Sequence, residues 1–209
     1  CLEIAFYFPT SDENKKKELA KKALASLWLA VNLGGFGARS RRLYGSLQFH
    51  SAPDEKPEKL FENKLPFVPL SKLNLKEDIP KALDEIASIM AKNQKPLPLL
   101  VYLYEAKAED LEKKYEDYRK HKLIDLEKRA VFGLPLQSFS NKRFASQIIF
   151  KALNEQKCLI TIIKSFEISE KTQEKLQRDK DEIIEKLKEF CNWLKAELIY
   201  PQKEGGENV

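Results

Sequence analysis

The segment Gly34-Gly35-Phe36-Gly37-Ala38-Arg39-Ser40-Arg41-Arg42-Leu43-Tyr44-Gly45-Ser46-Leu47 concentrates residue types suited to holding a polyanion. It contains four of the chain's seven glycines and three of its seven arginines, whereas the cations elsewhere are mostly lysine. Guanidinium groups are planar and donate in pairs, and glycine leaves the main chain open to close approach. Nucleic-acid phosphate is the ligand that best matches this combination. If residues 39–42 enter a strand, Arg39 and Arg41 point to one face and Arg42 to the other. Two arginines would then meet the ligand while one holds the loop together. Phe36 and Tyr44 flank the cluster, either as platforms for unpaired bases or as packing under the loop.

Asn141-Lys142-Arg143-Phe144-Ala145-Ser146 forms a smaller basic group at the start of a hairpin. The competing reading of its charges is protection of a strand edge.

Other chemistry has less support. Gly35-x-Gly37-x-x-Ser40 resembles a dinucleotide fingerprint only in spacing, because that motif needs a strand before it and a helix after it. Here the expected order is reversed. His50 and His121 are the only histidines. His50 follows the arginine loop by one short expected strand, so it is the single candidate for acid–base cleavage of RNA through the 2′-hydroxyl. His121 lies in a charged helix and is expected to be inert. Cys1, Cys158 and Cys191 are scattered, without a CxxC pair or a Cys/His cluster. The acidic residues have no metal-binding spacing either, so neither a metal nor another cofactor is expected. Unpaired thiols point to a reducing, cytoplasmic setting.

The elements that must position these groups follow from periodicity. Residues 2–8 are β-prone and end at Pro9, and Ser11 or Asp12 can cap a helix over 13–33. Leu19, Ala20, Ala23, Leu24, Leu27, Trp28 and Val31 form its apolar stripe, and Gly34 occupies the usual left-handed stop. A short strand is expected around 47–49. Further on, the pattern predicts a helix at 79–92, a strand at 97–104 and a charged helix at 106–129 edged by Leu111, Tyr115, Tyr118 and Leu126. Strands at 144–153 and 158–164 form a hairpin, followed by a helix at 170–194 and a strand at 197–200.

The fold expected from this order is α+β and ferredoxin-like (RRM-like), with helices on one face of an antiparallel sheet. It reads as a single domain over 1–209 with a mainly helical insertion at about 51–130. With 43% hydrophobic and 33% charged residues and a net charge of +5, the chain should be globular and mildly attracted to acidic partners. No apolar run reaches membrane-spanning length.

The sequence resembles the RAMP proteins of type III CRISPR systems, most of all the first subunit of the type III-B (Cmr) effector complex. The resemblance is carried by Asn32–Leu47, with the preceding Leu27-Trp28-Leu29. Weaker matches are Val131-Phe132-Gly133-Leu134-Pro135 and Arg143-Phe144-Ala145-Ser146. Leu43 stands where the family usually has Gly, and Gln147 where it usually has Pro. Such proteins usually carry two ferredoxin-like halves. This chain resembles the second, and its opening on Cys1 fits a piece of a longer polypeptide.

The resemblance implies a non-catalytic RNA-binding subunit in antiviral defence. It would contact guide (CRISPR) RNA and target RNA beside the repeated backbone subunit, with no membrane partner. The residues it sets against RNA are Gly34, Gly35, Phe36, Gly37, Arg39, Ser40, Arg41, Arg42 and Tyr44, extended by Lys142 and Arg143. Two alternatives stand beside it. One is a metal-independent guide-processing endoribonuclease of the same superfamily using His50. The other is an assembly subunit whose arginines meet an acidic protein surface.

Overall fold

Asp12 starts the first helix by satisfying backbone donors that have no partner within the helix. Its Oδ1 accepts hydrogen bonds from the Asn14 and Lys15 amides at 2.9 and 3.2 Å. Helix α1 (Glu13–Asn32) buries Ala20, Leu24, Ala25, Trp28, Val31 and Asn32. Leu19, Ala23 and Leu27, expected in the stripe, are only half-buried. The buried face is therefore rotated slightly from the apolar pattern and takes in one carboxamide.

The computed structural model describes residues 7–34, 47–49, 65–90, 100–121, 147–163 and 180–201. These residues divide into two compact units. The first contains α1, a single 3-10 turn at Leu70–Lys72 and helix α2 (Asp78–Met90). Asp78 accepts a 2.8 Å bond from the Asn74 amide, and Asn74 Oδ1 accepts one from Lys76, so the entry to α2 is fixed by short polar side chains. Ile79, Ala82, Leu83 and Ile86 then recur at helical spacing and are all buried. Trp28 is fully buried and donates its indole N–H to the Pro66 carbonyl, while Phe49 meets Phe67 edge-on at 5.1 Å.

The second unit is built around a sheet. Its order is β1 (Leu100–Lys107), α3 (Leu111–His121), β2 (Ile148–Ala152), β3 (Lys157–Ile163), α4 (Lys180–Trp193) and β4 (Glu197–Tyr200). The strands lie in the order β2-β3-β1-β4 and every neighbouring pair is antiparallel. β1 and β2 thus run parallel with β3 between them, and β3 and β4 run parallel with β1 between them. The β2–β3 turn is held by Asn154, whose Oδ1 accepts from the Gln156 and Lys157 amides at 2.9 and 2.8 Å.

Strand alternation sorts the core. Tyr104, Ala106, Ile148, Phe150, Cys158, Ile160 and Ile162 share one face and cluster with Leu111, Tyr115 and Tyr118 of α3 and Leu187, Phe190 and Cys191 of α4. Leu103, Lys151, Leu159 and Thr161 have the opposite parity, and they too are buried. Among the described residues no helix is long and apolar enough to cross a membrane.

The mixed α+β class, the antiparallel sheet, the hairpin and the terminal strand agree with expectation. The short strand expected around 47–49 does not. Tyr7, Phe8 and residues 47–49 are not in strands, and Leu2–Phe6 lie outside the described residues. Phe49 serves packing against Phe67 instead. The strand read within an insertion is β1, which takes a central place in the sheet because β3 and β4 both pair with it. The expected continuation of α3 to 129, the 131–136 segment, Phe144–Ser146 and the 170–179 part of α4 lie outside the described residues.

Candidate nucleic-acid interface

The glycine/arginine segment starts from the end of α1. Leu33 forms the helix C-cap with φ −114° and ψ −13°, and its N–H donates to the Leu29 carbonyl at 2.9 Å. Gly34 follows, half-buried, and Leu47 is described at the far end. Gly35, Phe36, Gly37, Arg39, Ser40, Arg41, Arg42 and Tyr44 lie outside the described residues. So do Lys142, Arg143 and His50.

Asn32, in the last turn of α1, was not among the expected site residues. It is 1% exposed, and neither its Nδ2 nor its Oδ1 has a hydrogen-bond partner among the described residues. Its sequence signal was positional: Asn32 lies four residues after Trp28 and eight after Leu24, on the line that the helix buries. A polar residue at that phase is worth noticing because buried amides are nearly always paired.

Several described lysines are paired within the fold. Lys16, Lys22, Lys186 and Lys188 reach carboxylates on their own helices, Glu13, Glu18, Glu189 and Glu185, at 2.7 to 2.8 Å. Lys157 pairs with Glu105 across strands. Lys188 also stands 4.5 Å over the Tyr102 ring, and its bonds to Glu185 and Tyr102 push its ammonium pKa up. These charges are already answered within the fold. Lys15 and Lys17 are exposed, and no carboxylate pairs with them among the described residues.

Lys151 is a different case. It is fully buried in β2, and burial pushes its ammonium down to about 8. The strand pattern contains it as the central member of Ile149, Lys151 and Leu153, a lysine in an apolar alternation that sequence reasoning passed over.

The described thiols and His121 offer little chemistry. Burial pushes Cys158 up to about 12 and raises Cys191 as well, which keeps both as un-ionised, poorly nucleophilic thiols. His121 is exposed at the end of α3. Among the described residues no group of three or more His, Cys, Asp or Glu side chains is placed to hold a metal. Compared with protein-family models, curated proteins and solved structures, the chain matches none.

Proposed function

We propose that this chain is an RNA-binding subunit of a type III-B CRISPR (Cmr) effector complex, acting by contact and not by catalysis. The observation that carries the reading is the arginine-and-glycine segment that follows the half-buried Gly34 at the end of α1. Arg39, Arg41 and Arg42 would donate to backbone phosphates, Gly34, Gly35 and Gly37 would allow close approach, and Phe36 and Tyr44 would stack on bases. Ser40 lies within the same contact, and Lys142 and Arg143 would extend it.

The second unit supports the finer fold reading. Among its described residues the elements follow in the order βαββαβ with strands arranged β2-β3-β1-β4, which supports reading it as a ferredoxin-like, RRM-like domain of the RAMP type. On this reading the partners are guide RNA, target RNA and the repeated backbone subunit, and the setting is cytoplasmic.

The test is single-stranded RNA binding by the wild type and by a triple Arg39→Ala, Arg41→Ala, Arg42→Ala variant whose folding is checked independently. Micromolar or tighter binding that collapses in the folded variant is expected. Equal binding by both proteins would remove the arginines from the RNA contact.

A further inference from the structure

The charges of α1 are confined to its first half. Residues 13–22 carry five lysines against two glutamates, and residues 23–32 carry no charge. Both glutamates are taken, Glu13 by Lys16 at 2.7 Å and Glu18 by Lys22 at 2.8 Å. Lys15, Lys17 and Lys21 pair with no carboxylate among the described residues. Lys15 and Lys17 are exposed and Lys21 is half-buried. Helix stability does not call for these three. The positive end of the helix dipole lies at this terminus, where cations are unfavourable. Lys17 and Lys21 stand four residues apart, a spacing at which like charges repel. They also continue, in steps of three and four, the buried line of Leu24, Trp28 and Val31. That line therefore turns from apolar to cationic towards the start of the helix.

We propose that Lys15, Lys17 and Lys21 on the flank of α1, together with Tyr7, form a second contact for single-stranded RNA, the lysines meeting phosphates and the ring a base. This rests on the RNA-binding reading above but uses none of its arginines, since all four residues belong to the compact unit that contains α1. The flank is the contact, and not the amides at the tip of the helix, because Asp12 Oδ1 already accepts from Asn14 and Lys15. Lysines one turn apart, about 5–6 Å between Cβ atoms, carry point charges on flexible stems. They can follow successive phosphates without regard to sequence. Tyr7, five residues before Asp12, is 88% exposed, so packing does not account for its ring. Unpaired bases stack on such rings, and single-strand binders combine cations with aromatics. An acidic protein surface would use the charges alone.

The experiment titrates the full chain with a labelled oligouridylate over a range of salt, with denaturant titration of every variant. Lys15→Gln, Lys17→Gln and Lys21→Gln combined should be at least as stable as wild type. The same variant should lose tenfold or more in affinity at ~50 mM salt and flatten the log–log salt slope by about 2, as three phosphate contacts require. Arginine at the same three positions should restore both. Lys16→Gln with Lys22→Gln, which removes charges already answered on the helix, should change little. Tyr7→Ala should weaken binding about fivefold or more while leaving the salt slope alone.

Unchanged affinity and slope in the triple glutamine variant overturn the inference, as does an equal loss in the Lys16/Lys22 control, which would mean a response to net charge only. A clear loss of stability in the triple variant also overturns it, since the lysines would then be serving the fold. Displacement of the RNA by polyaspartate as readily as by unlabelled RNA would assign the flank to an acidic protein instead. Binding that the arginine variant abolishes and the lysine variant keeps overturns this inference and leaves the RNA-binding reading standing. Failure of the wild type to bind RNA removes that reading, and this inference with it.

Discussion

The indole N–H of Trp28 donates to the carbonyl oxygen of Pro66 at 3.0 Å, joining positions 38 residues apart. Trp28 is fully buried, so one side chain ties α1 to the segment that leads into the 3-10 turn at Leu70–Lys72. Trp28→Phe keeps an aromatic ring but leaves the carbonyl short of a donor and the site underfilled. The expected loss is about 2 to 4 kcal/mol of unfolding free energy. Denaturant titration checks it, and a loss below about 0.5 kcal/mol would show that the bond adds nothing.

Phe190 plays the corresponding part under the sheet. Its ring lies 5.0 Å from Tyr118, 5.9 Å from Tyr115 and 6.2 Å from Phe150, and these contacts are edge-on. Trp193, 42% exposed, stacks on it from the outer side at 6.3 Å. Phe190→Ala should cost about 3 to 5 kcal/mol, whereas Trp193→Ala should cost much less because its ring is half in water. Comparable losses for the two would contradict this division of the cluster.

Lys151 predicts a pH dependence. Its ammonium is lowered from 10.5 to about 8 in the fold by burial. Between those values the unfolded chain holds the proton more often than the folded one, so this residue makes stability rise with pH. Below about 8 its destabilising effect is fully present, and above 10.5 it vanishes. Cys158 and Tyr104 titrate with the opposite sign at alkaline pH, both being raised to about 12. The useful quantity is therefore the stability of Lys151→Met minus that of wild type. That difference should stay level up to about pH 8 and shrink from there towards pH 10; a difference independent of pH over that range would refute the assignment.

The arginine segment predicts a salt response. For single-stranded RNA, affinity should fall with a log–log slope of about −0.7 per phosphate contacted. If five contacts are made, about 100-fold is lost between ~50 and ~200 mM salt. Each arginine replaced by alanine should flatten the slope by about one contact. A slope near zero in the wild type would separate the segment from phosphate.

Much of the local structure was readable without coordinates. Asp12 was marked as a cap by its type and place, Asn154 by a short polar turn between two β-prone runs, and Tyr115 and Tyr118 by helical spacing. Each of these depends on neighbours within a few positions. The candidate RNA contacts were likewise named from residue type, together with a family resemblance.

Pairing and burial were not readable in the same way. Alternation marks the run around Leu100–Lys107 as a strand, but it does not say which strands flank it. Only the observed register with β3 and β4 makes β1 a central strand. Leu47–Phe49 shows the reverse, a β-prone triplet in which Phe49 packs on Phe67. Asn32 and Lys151 look like ordinary polar residues in the chain, and only their three-dimensional surroundings make one an unmatched amide and the other a buried amine. The sequence by itself determined the caps, turns, amphipathic spacing and cationic segment, because those arise from interactions between near neighbours. Tertiary structure decided strand order and desolvation, because both depend on groups brought together from distant parts of the chain.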